Sequence, residues 1–332
     1  MSAISPDTLR ALVARALERS STNAANAASV AAALVDAEID GQKGHGLSRV
    51  VSYAAQARSG KVAGHATPVV TAVRPGAIVV DAAEGFAFPA IDRAIERLAA
   101  IAPVQGIALA AIRRSHHFGV AGRHAERLAG HGLVGLVMGN SPKAIAAWGG
   151  SQALFGTNPI AFAAPRKDAP ALVIDLSLSK VARGRIMVAA QKGEAIPQGW
   201  ALDKHGKPTT DAKAALDGAM LPMGDAKGAA LVLMVELLSA ALVGAQFGYE
   251  ASSFFTADGA PPGVGQLLIA IDPGATSGGT FAARMEALLS AMLSEPGVRL
   301  PGVRRLAGRA RAAEGSIEVD DKVLAEVEAL AR

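Results

Sequence analysis

Gly106-Ile-Ala-Leu-Ala-Ala-Ile112 is a short apolar run, and the polar turn Arg113-Arg-Ser-His-His-Phe-Gly119 follows it. A helically periodic stretch runs from about Val120 to Ala129, then Gly130-His131-Gly132 and a second apolar run, Leu133 to Met138. The order is strand, helix, strand, with turn residues between. Gly130-His-Gly-Leu-Val-Gly135 is a literal G-x-G-x-x-G, but its glycines end a helix and enter a strand. A dinucleotide fingerprint needs the reverse order, so that the pyrophosphate meets a helix N-terminus. A C-cap and turn is the better reading.

The same alternation continues outward. Ser5 caps a helix with Pro6 at its first position and Leu9, Leu12, Val13, Ala16 and Leu17 on one face. A second helix spans about Asn23 to Ile39 and stops at Asp40-Gly41. Ala77–Asp81, Ile160–Ala164, Leu172–Leu176 and Leu267–Ile271 read as strands, and Pro89–Ile101 as a helix. Asp320-Asp321 caps a last helix through Val323, Leu324, Val327 and Leu330. These elements predict an α/β fold, a mixed sheet with flanking helices. Ala182 to Gly218 is polar and turn-rich and reads as a long loop.

Composition bounds the function. Of 332 residues, 51% are hydrophobic and 19% charged, which excludes a disordered chain. The absence of cysteine removes disulfides, thiolate metal sites and cysteine nucleophiles, and fits a reducing, cytoplasmic setting. No H-E-x-x-H, P-loop or G-x-S-x-G occurs, and no metal site is expected. A net charge of +4 with 4% aromatic residues gives no nucleic-acid footprint. A small anionic ligand is the economical reason for the extra arginines. The N-terminus has no apolar signal segment. Gly228 to Gly248 is the only membrane candidate, but Glu236 sits in its middle. A buried helix is the better reading, because a mid-bilayer carboxylate is costly unless paired.

The seven histidines cluster. In Asp40-Gly-Gln-Lys-Gly-His-Gly-Leu-Ser-Arg49, glycines flank His45 and Arg49 lies four residues on. A helix starting here would point both side chains to one side, an imidazole beside a carboxylate clamp. A Gly-rich turn with a solvated histidine is the plainer reading. Arg113 to Gly119 ends a strand and enters a helix, where α/β proteins place ligands and where N–H groups and arginines suit phosphate. A basic surface turn explains it equally well. Phe155-Gly-Thr-Asn-Pro159, Ile174-Asp-Leu-Ser177, Gly224-Asp-Ala-Lys-Gly228 and Arg299-Leu-Pro-Gly-Val-Arg-Arg305 are each readable as turns or helix ends as well.

Together these segments resemble the malate/L-lactate dehydrogenase-like oxidoreductases that do not use a Rossmann fold. The resemblance runs through nearly the whole chain, with Ile196-Pro-Gln-Gly-Trp-Ala-Leu-Asp203, Pro208-Thr-Thr-Asp211 and Ile271-Asp-Pro273 as further matches. It implies a family-specific nicotinamide fold: a helical domain of residues 1–70 plus about 300–332, and a cofactor- and substrate-binding α/β domain of 71–299. It implies a homodimer acting on a small molecule, with NADPH as cofactor and NADH as the lesser possibility. Position by position, His45 matches the proton donor and Arg49 the substrate-carboxylate residue. Thr157, Arg183 and Gly184 match substrate contacts. The cofactor contacts match His117, Phe118, Gly119, Val120 and Ala121, then Asp175, Leu176 and Ser177, then Lys227, Arg299, Arg304 and Arg305.

Two positions differ from the family pattern. Gly44 stands where a serine usually precedes the histidine. Arg185 stands where cyclic-imine reductases have an acidic residue and hydroxy-acid dehydrogenases more often a lysine. The family chemistry is hydride transfer at C2 of a 2-keto or 2-imino acid. A ketone becoming an alkoxide needs a well-placed acid, whereas a protonated cyclic imine already carries its charge. The segments Gly224–Ala230 and Gly265–Asp272 resemble the cyclic-imine branch. The sequence therefore favours reduction of Δ1-pyrroline-2-carboxylate or Δ1-piperideine-2-carboxylate. Its alternatives are a 2-hydroxy acid dehydrogenase, suggested by Arg185, and a catalytically silent cofactor-binding homologue.

Overall fold

The computed structural model describes residues 1–332. Strand β1 (Ser2–Ile4) precedes helices α1 (Pro6–Glu18) and α2 (Ala24–Ile39), and two 3-10 turns, Lys43–His45 and Leu47–Arg49, lead into α3 (Val50–Arg58). Then come β2 (Val69–Arg74), β3 (Ala77–Asp81), α4 (Ala87–Gln105), β4 (Ile107–Ser115), α5 (Ala121–Gly130) and β5 (Val134–Gly139). Strands β6 (Ile145–Ala146), β7 (Ala153–Phe155), β8 (Ile160–Ala164) and β9 (Leu172–Leu176) follow. The next stretch holds α6 (Arg183–Lys192), β10 (Ala201–Leu202), β11 (Pro208–Thr209), α7 (Ala212–Asp217) and β12 (Ala219–Met220). Helix α8 (Asp225–Glu236) passes into a π-helical turn, Leu237–Ala241. The chain closes with β13 (Val264–Ile271), α9 (Pro273–Ser277), α10 (Phe281–Leu293), α11 (Val303–Ala313), β14 (Ile317–Val319) and α12 (Asp321–Ala331).

The helix starts follow side-chain chemistry. Ser5 Oγ accepts the Thr8 N–H at 3.1 Å, Asn23 Oδ1 the Asn26 N–H at 2.9 Å, and Asp320 Oδ1 the Lys322 N–H at 3.0 Å. The central sheet has seven strands in the order β2-β3-β4-β13-β5-β8-β9. Only β3 and β4 run parallel; every other neighbouring pair is antiparallel. Strand β13 comes from late in the chain and inserts between β4 and β5. Such a sheet cannot be the parallel doubly wound sheet of a Rossmann domain.

Alternation along the strands separates two faces. Ile112, Val137 and Leu268 pack with Ile91, Ile95, Leu98 and Leu128 of α4 and α5. Their neighbours Ala111, Met138 and Leu267 face Val232 and Val235 of α8 and Ile186 of α6. A third core joins α1, α2 and α3 to Val319 and Val327 near the C-terminus. It also takes in Phe86 and Phe88 from the entry to α4. Strands β1 and β14 pair antiparallel, so the two ends of the chain meet in this helical layer.

Two sequence expectations need correction. The stretch 182–218 contains two helices and two short strands, because Ile186, Ala189, Ile196, Ala201, Ala212 and Ala215 are buried and draw it onto the core. The apolar helix is only half covered: Leu233, Met234, Leu237 and Leu242 are exposed. Glu236 lies on its covered side, with its carboxylate accepting from Asn158 Nδ2 at 2.7 Å, Gly248 N–H at 2.7 Å and Asn140 Nδ2 at 3.2 Å. Three donors are what make a buried carboxylate tolerable without a cation. No helix is long and apolar enough to cross a membrane.

Candidate active site

The segment after α2 does not form the helix expected through His45 and Arg49. It forms two 3-10 turns, and the α-helix begins at Val50. A Cβ at Gly46 would lie 2.4 Å from Glu38 Oε2, so a side chain there would displace the carboxylate that accepts the Leu47 N–H. At Gly44 a Cβ meets nothing within 4 Å. A serine therefore fits at position 44 in this fold.

His45 is half-buried, and its ring stacks on His117 at 5.3 Å between centroids. His117 is buried, with Nδ1 2.5 Å from the Tyr53 hydroxyl. His116 Nε2 lies 2.9 Å from Gln56 Oε1. Burial, and next the Arg49 charge, hold His45 down at about 4. Burial likewise brings His116 to about 3 and His117 well below its ordinary value. At neutral pH all three rings are neutral, so His45 rests as a proton acceptor.

Arg49 donates Nε to the Gly44 carbonyl at 2.7 Å, and its guanidinium lies 4.5 Å over the ring of Phe255. Its Nη1 is buried without a partner. A partly buried cation with a free donor and no acid beside it suits an incoming carboxylate.

The remaining expected residues are linked as follows. Phe118, Val120 and Ala121 are buried and pack into the core, so a ligand here would meet backbone rather than these side chains. Gly119 takes φ +68, and a Cβ would sit 3.1 Å from Phe88. The Gly122 N–H donates to Asp175 Oδ2 at 2.8 Å, which ties the start of α5 to β9. Burial raises the Asp175 carboxyl, while that N–H and Arg305 pull it down. Leu176 is exposed, and Ser177 lies 2.8 Å from the Ser179 hydroxyl. The Thr157 carbonyl accepts the Leu178 N–H at 2.9 Å, so this threonine sits beside the Asp175–Ser177 segment. Asn158 takes φ +38 and is held by Glu236.

Arg183 begins α6, is partly buried, and has only the Leu216 carbonyl at 3.3 Å. Gly184 and Arg185 beside it are exposed. Lys227 is exposed in the first turn of α8. Arg305 is turned inward at 3.7 Å from Glu126 and keeps a buried Nε without a partner. Arg299 and Arg304 are exposed and unpaired. The basic turn at 113–114 is not a free anion site, because both arginines pair with Asp81. A cleft of about 650 Å³ between α1, α2, α5 and α11 contains none of these residues; its charges, such as Arg309 with Asp40 and Glu126, are already paired.

Tyr53, Phe254, Phe255 and Lys61 belong to this region and carry no motif of their own. Phe254 lies 5.1 Å from His117 and 5.2 Å from His116. Only the scarcity of aromatics in this chain could have marked Tyr53, Phe254 and Phe255, and nothing local marks Lys61.

A partly buried imidazole beside a desolvated arginine, just beyond the end of β4 in a mostly antiparallel sheet, suits the chemistry of an oxidoreductase. The chain belongs to the malate/L-lactate dehydrogenase family, whose model matches residues 4–328. It is 55% identical over 301 residues to the (2R)-3-sulfolactate dehydrogenase (NADP(+)) of Chromohalobacter salexigens, covering 91% of this chain and 90% of that one. It is 41% identical over 321 residues to the Δ1-pyrroline-2-carboxylate/Δ1-piperideine-2-carboxylate reductase of Pseudomonas putida, covering 95% and 93%. The crystal structure of Δ1-piperideine-2-carboxylate reductase from Pseudomonas syringae superposes with a TM-score of 0.94 at 40% identity, over 99% of this chain and 100% of that one. The mixed α/β fold expected from the sequence is thus the fold of this family.

Proposed function

We propose that the chain is an NADP-dependent dehydrogenase of a 2-hydroxy acid with a second anionic group, of the 3-sulfolactate type. The observation that carries this reading is Arg183: partly desolvated, it has no carboxylate partner and one long carbonyl contact. Arg49 likewise has no carboxylate partner, so the chain carries two desolvated cations, one for each anionic group of such a substrate. The 55% identity to a sulfolactate dehydrogenase supports the same choice, and so does the basic Arg185. This places first what the sequence alone ranked second.

The residues fit a nicotinamide dinucleotide. Arg305 keeps an orphaned buried N–H for an anionic oxygen, and Asp175 ties the start of α5 to the Thr157 region. A bound nicotinamide supplies hydride transfer at C2. The protein supplies the rest. Arg49 binds the carboxylate through its fork. Neutral His45 accepts the hydroxyl proton as the carbonyl forms. Binding the carboxylate offsets the Arg49 charge, which relieves one of the two effects holding His45 down and strengthens it as a base.

Cyclic-imine reduction is the second reading. It is favoured by the relatives near 40% identity, and by a His45 that rests unprotonated, since a protonated imine needs no acid. Steady-state turnover separates the two. Sulfolactate should exceed lactate at least tenfold in kcat/KM, with NADP preferred over NAD, and should exceed both cyclic imines. A cyclic imine turned over tenfold better than sulfolactate would reverse the assignment, and no turnover on either would leave the silent-homologue reading.

The exposed Leu233, Met234, Leu237 and Leu242 of α8 and its π turn also support a homodimer, because a contiguous apolar face needs a cover. Sedimentation equilibrium should give twice 33.6 kDa; a monomer at micromolar concentration would refute this.

A further inference from the structure

The segment 253–258 has no regular structure, yet side chains of and just beyond α3 hold nearly all of its carbonyls. Lys61 is buried, and its ammonium donates to Ser253 O at 2.7 Å, Asp258 O at 2.8 Å and Thr256 O at 3.0 Å. Gln56 Nε2 donates to Phe254 O at 2.9 Å, and Ser59 Oγ to Ala257 O at 3.0 Å. All three N–H groups of the lysine are used, and no carboxylate pairs with it. The Asp258 charge offsets part of the burial of this ammonium, but holding a surface loop with a cation bonded only to carbonyls is still expensive. What the loop carries accounts for the expense: Phe254 packs on His116 and His117, and half-exposed Phe255 lies over the Arg49 guanidinium at 4.5 Å.

Arg49 has few other restraints. One N–H is fixed on the Gly44 carbonyl, and Nη1 has no protein partner. One in-plane contact leaves a guanidinium free to tilt about it. A flat aromatic face beneath the group removes that freedom, and bidentate capture of a carboxylate needs the fork held in one plane. We propose that Phe255 is a positioning residue that sets the plane of Arg49, and that Lys61 positions Phe255 by clamping the 253–258 segment. This inference rests on the reading of Arg49 as the carboxylate residue.

The test compares Phe255→Ala, Phe255→Tyr, Lys61→Met and Arg49→Ala, measuring KM and kcat for the best carboxylate substrate and NADPH affinity by fluorescence. Phe255→Ala should raise KM about tenfold, the size of a desolvated cation–π contact, with kcat within threefold. Phe255→Tyr should restore KM to within about twofold, because its ring keeps the same face. Lys61→Met should raise KM in the same direction; should that variant not fold, the two Phe255 variants decide. NADPH affinity should stay unchanged throughout. KM within twofold of the parent in Phe255→Ala, alongside a large loss in Arg49→Ala, overturns the inference and leaves the Arg49 reading standing. No effect in either sinks both. An equal loss of NADPH affinity shows a general packing role and overturns the positioning role.

Discussion

Replacing His45 with alanine is expected to lower kcat/KM for oxidation of a 2-hydroxy acid by about 10²–10⁴-fold, the usual contribution of a general base. The ring is half-buried, stacked on His117, and held at about 4 by burial and the Arg49 charge. The sign follows from that direction. Free His45 is neutral above about pH 5, so the oxidation rate should be flat through neutrality and fall as pH drops through about 4. Reduction of a keto acid uses the protonated ring, and its rate should rise as pH falls over the same range. Reduction of a cyclic imine should lose far less in His45→Ala, because no alkoxide develops. Gly44→Ser tests the missing serine: a Cβ there meets nothing within 4 Å, so the variant should fold. A hydroxyl beside His45 should then help keto acids more than imines. Equal losses for both substrate types on removing His45 would refute its role as proton carrier.

Arg49→Ala is expected to cost about 3–6 kcal/mol in kcat/KM, two charge-assisted hydrogen bonds at about 1.5–3 kcal/mol each. Arg49→Lys should mainly raise KM, since an ammonium keeps the charge and loses the fork. There is a coupled effect. The Arg49 charge is the second of the two influences that depress His45, so its removal should move the acid limb of the pH profile upward. The Nε contact to Gly44 O is also lost in Arg49→Ala, and the lysine variant controls for the charge part of that change. A kcat/KM within a few-fold of the parent in Arg49→Ala would remove this residue from the substrate site.

The candidate site was legible where chemistry leaves local marks. His45 between glycines, Arg49 four residues on, and Thr157-Asn158-Pro159 all stood out because turns and exposed titratable groups are short-range features. The restraints on those residues did not. Lys61 and Phe255 are separated by 194 positions in sequence, yet Lys61 holds carbonyls on either side of Phe255, whose ring lies over Arg49. Glu236 read as an anomaly in an apolar helix, and only its three donors from 140, 158 and 248 show it to be a buried anchor.

From the residues alone came α1, α2, α4, α5, α8 and α12, whose caps and periodicity are set within a few positions, six strands of the central sheet, and the exclusion of a Rossmann fingerprint from the order of Gly130 and Leu133. Those signals are local, because backbone hydrogen bonds and one-sided burial act over one turn or one strand. Strand order, the insertion of β13 between β4 and β5, and the pairing of β1 with β14 were decided only in three dimensions. So was the fate of 182–218, whose scattered apolar residues find a core only when the second face of the sheet is present. Burial did the same for the chemistry: a histidine that would titrate near 6.5 in the open chain is held at about 4 by desolvation and a neighbouring cation, and both exist only once the chain has closed around it.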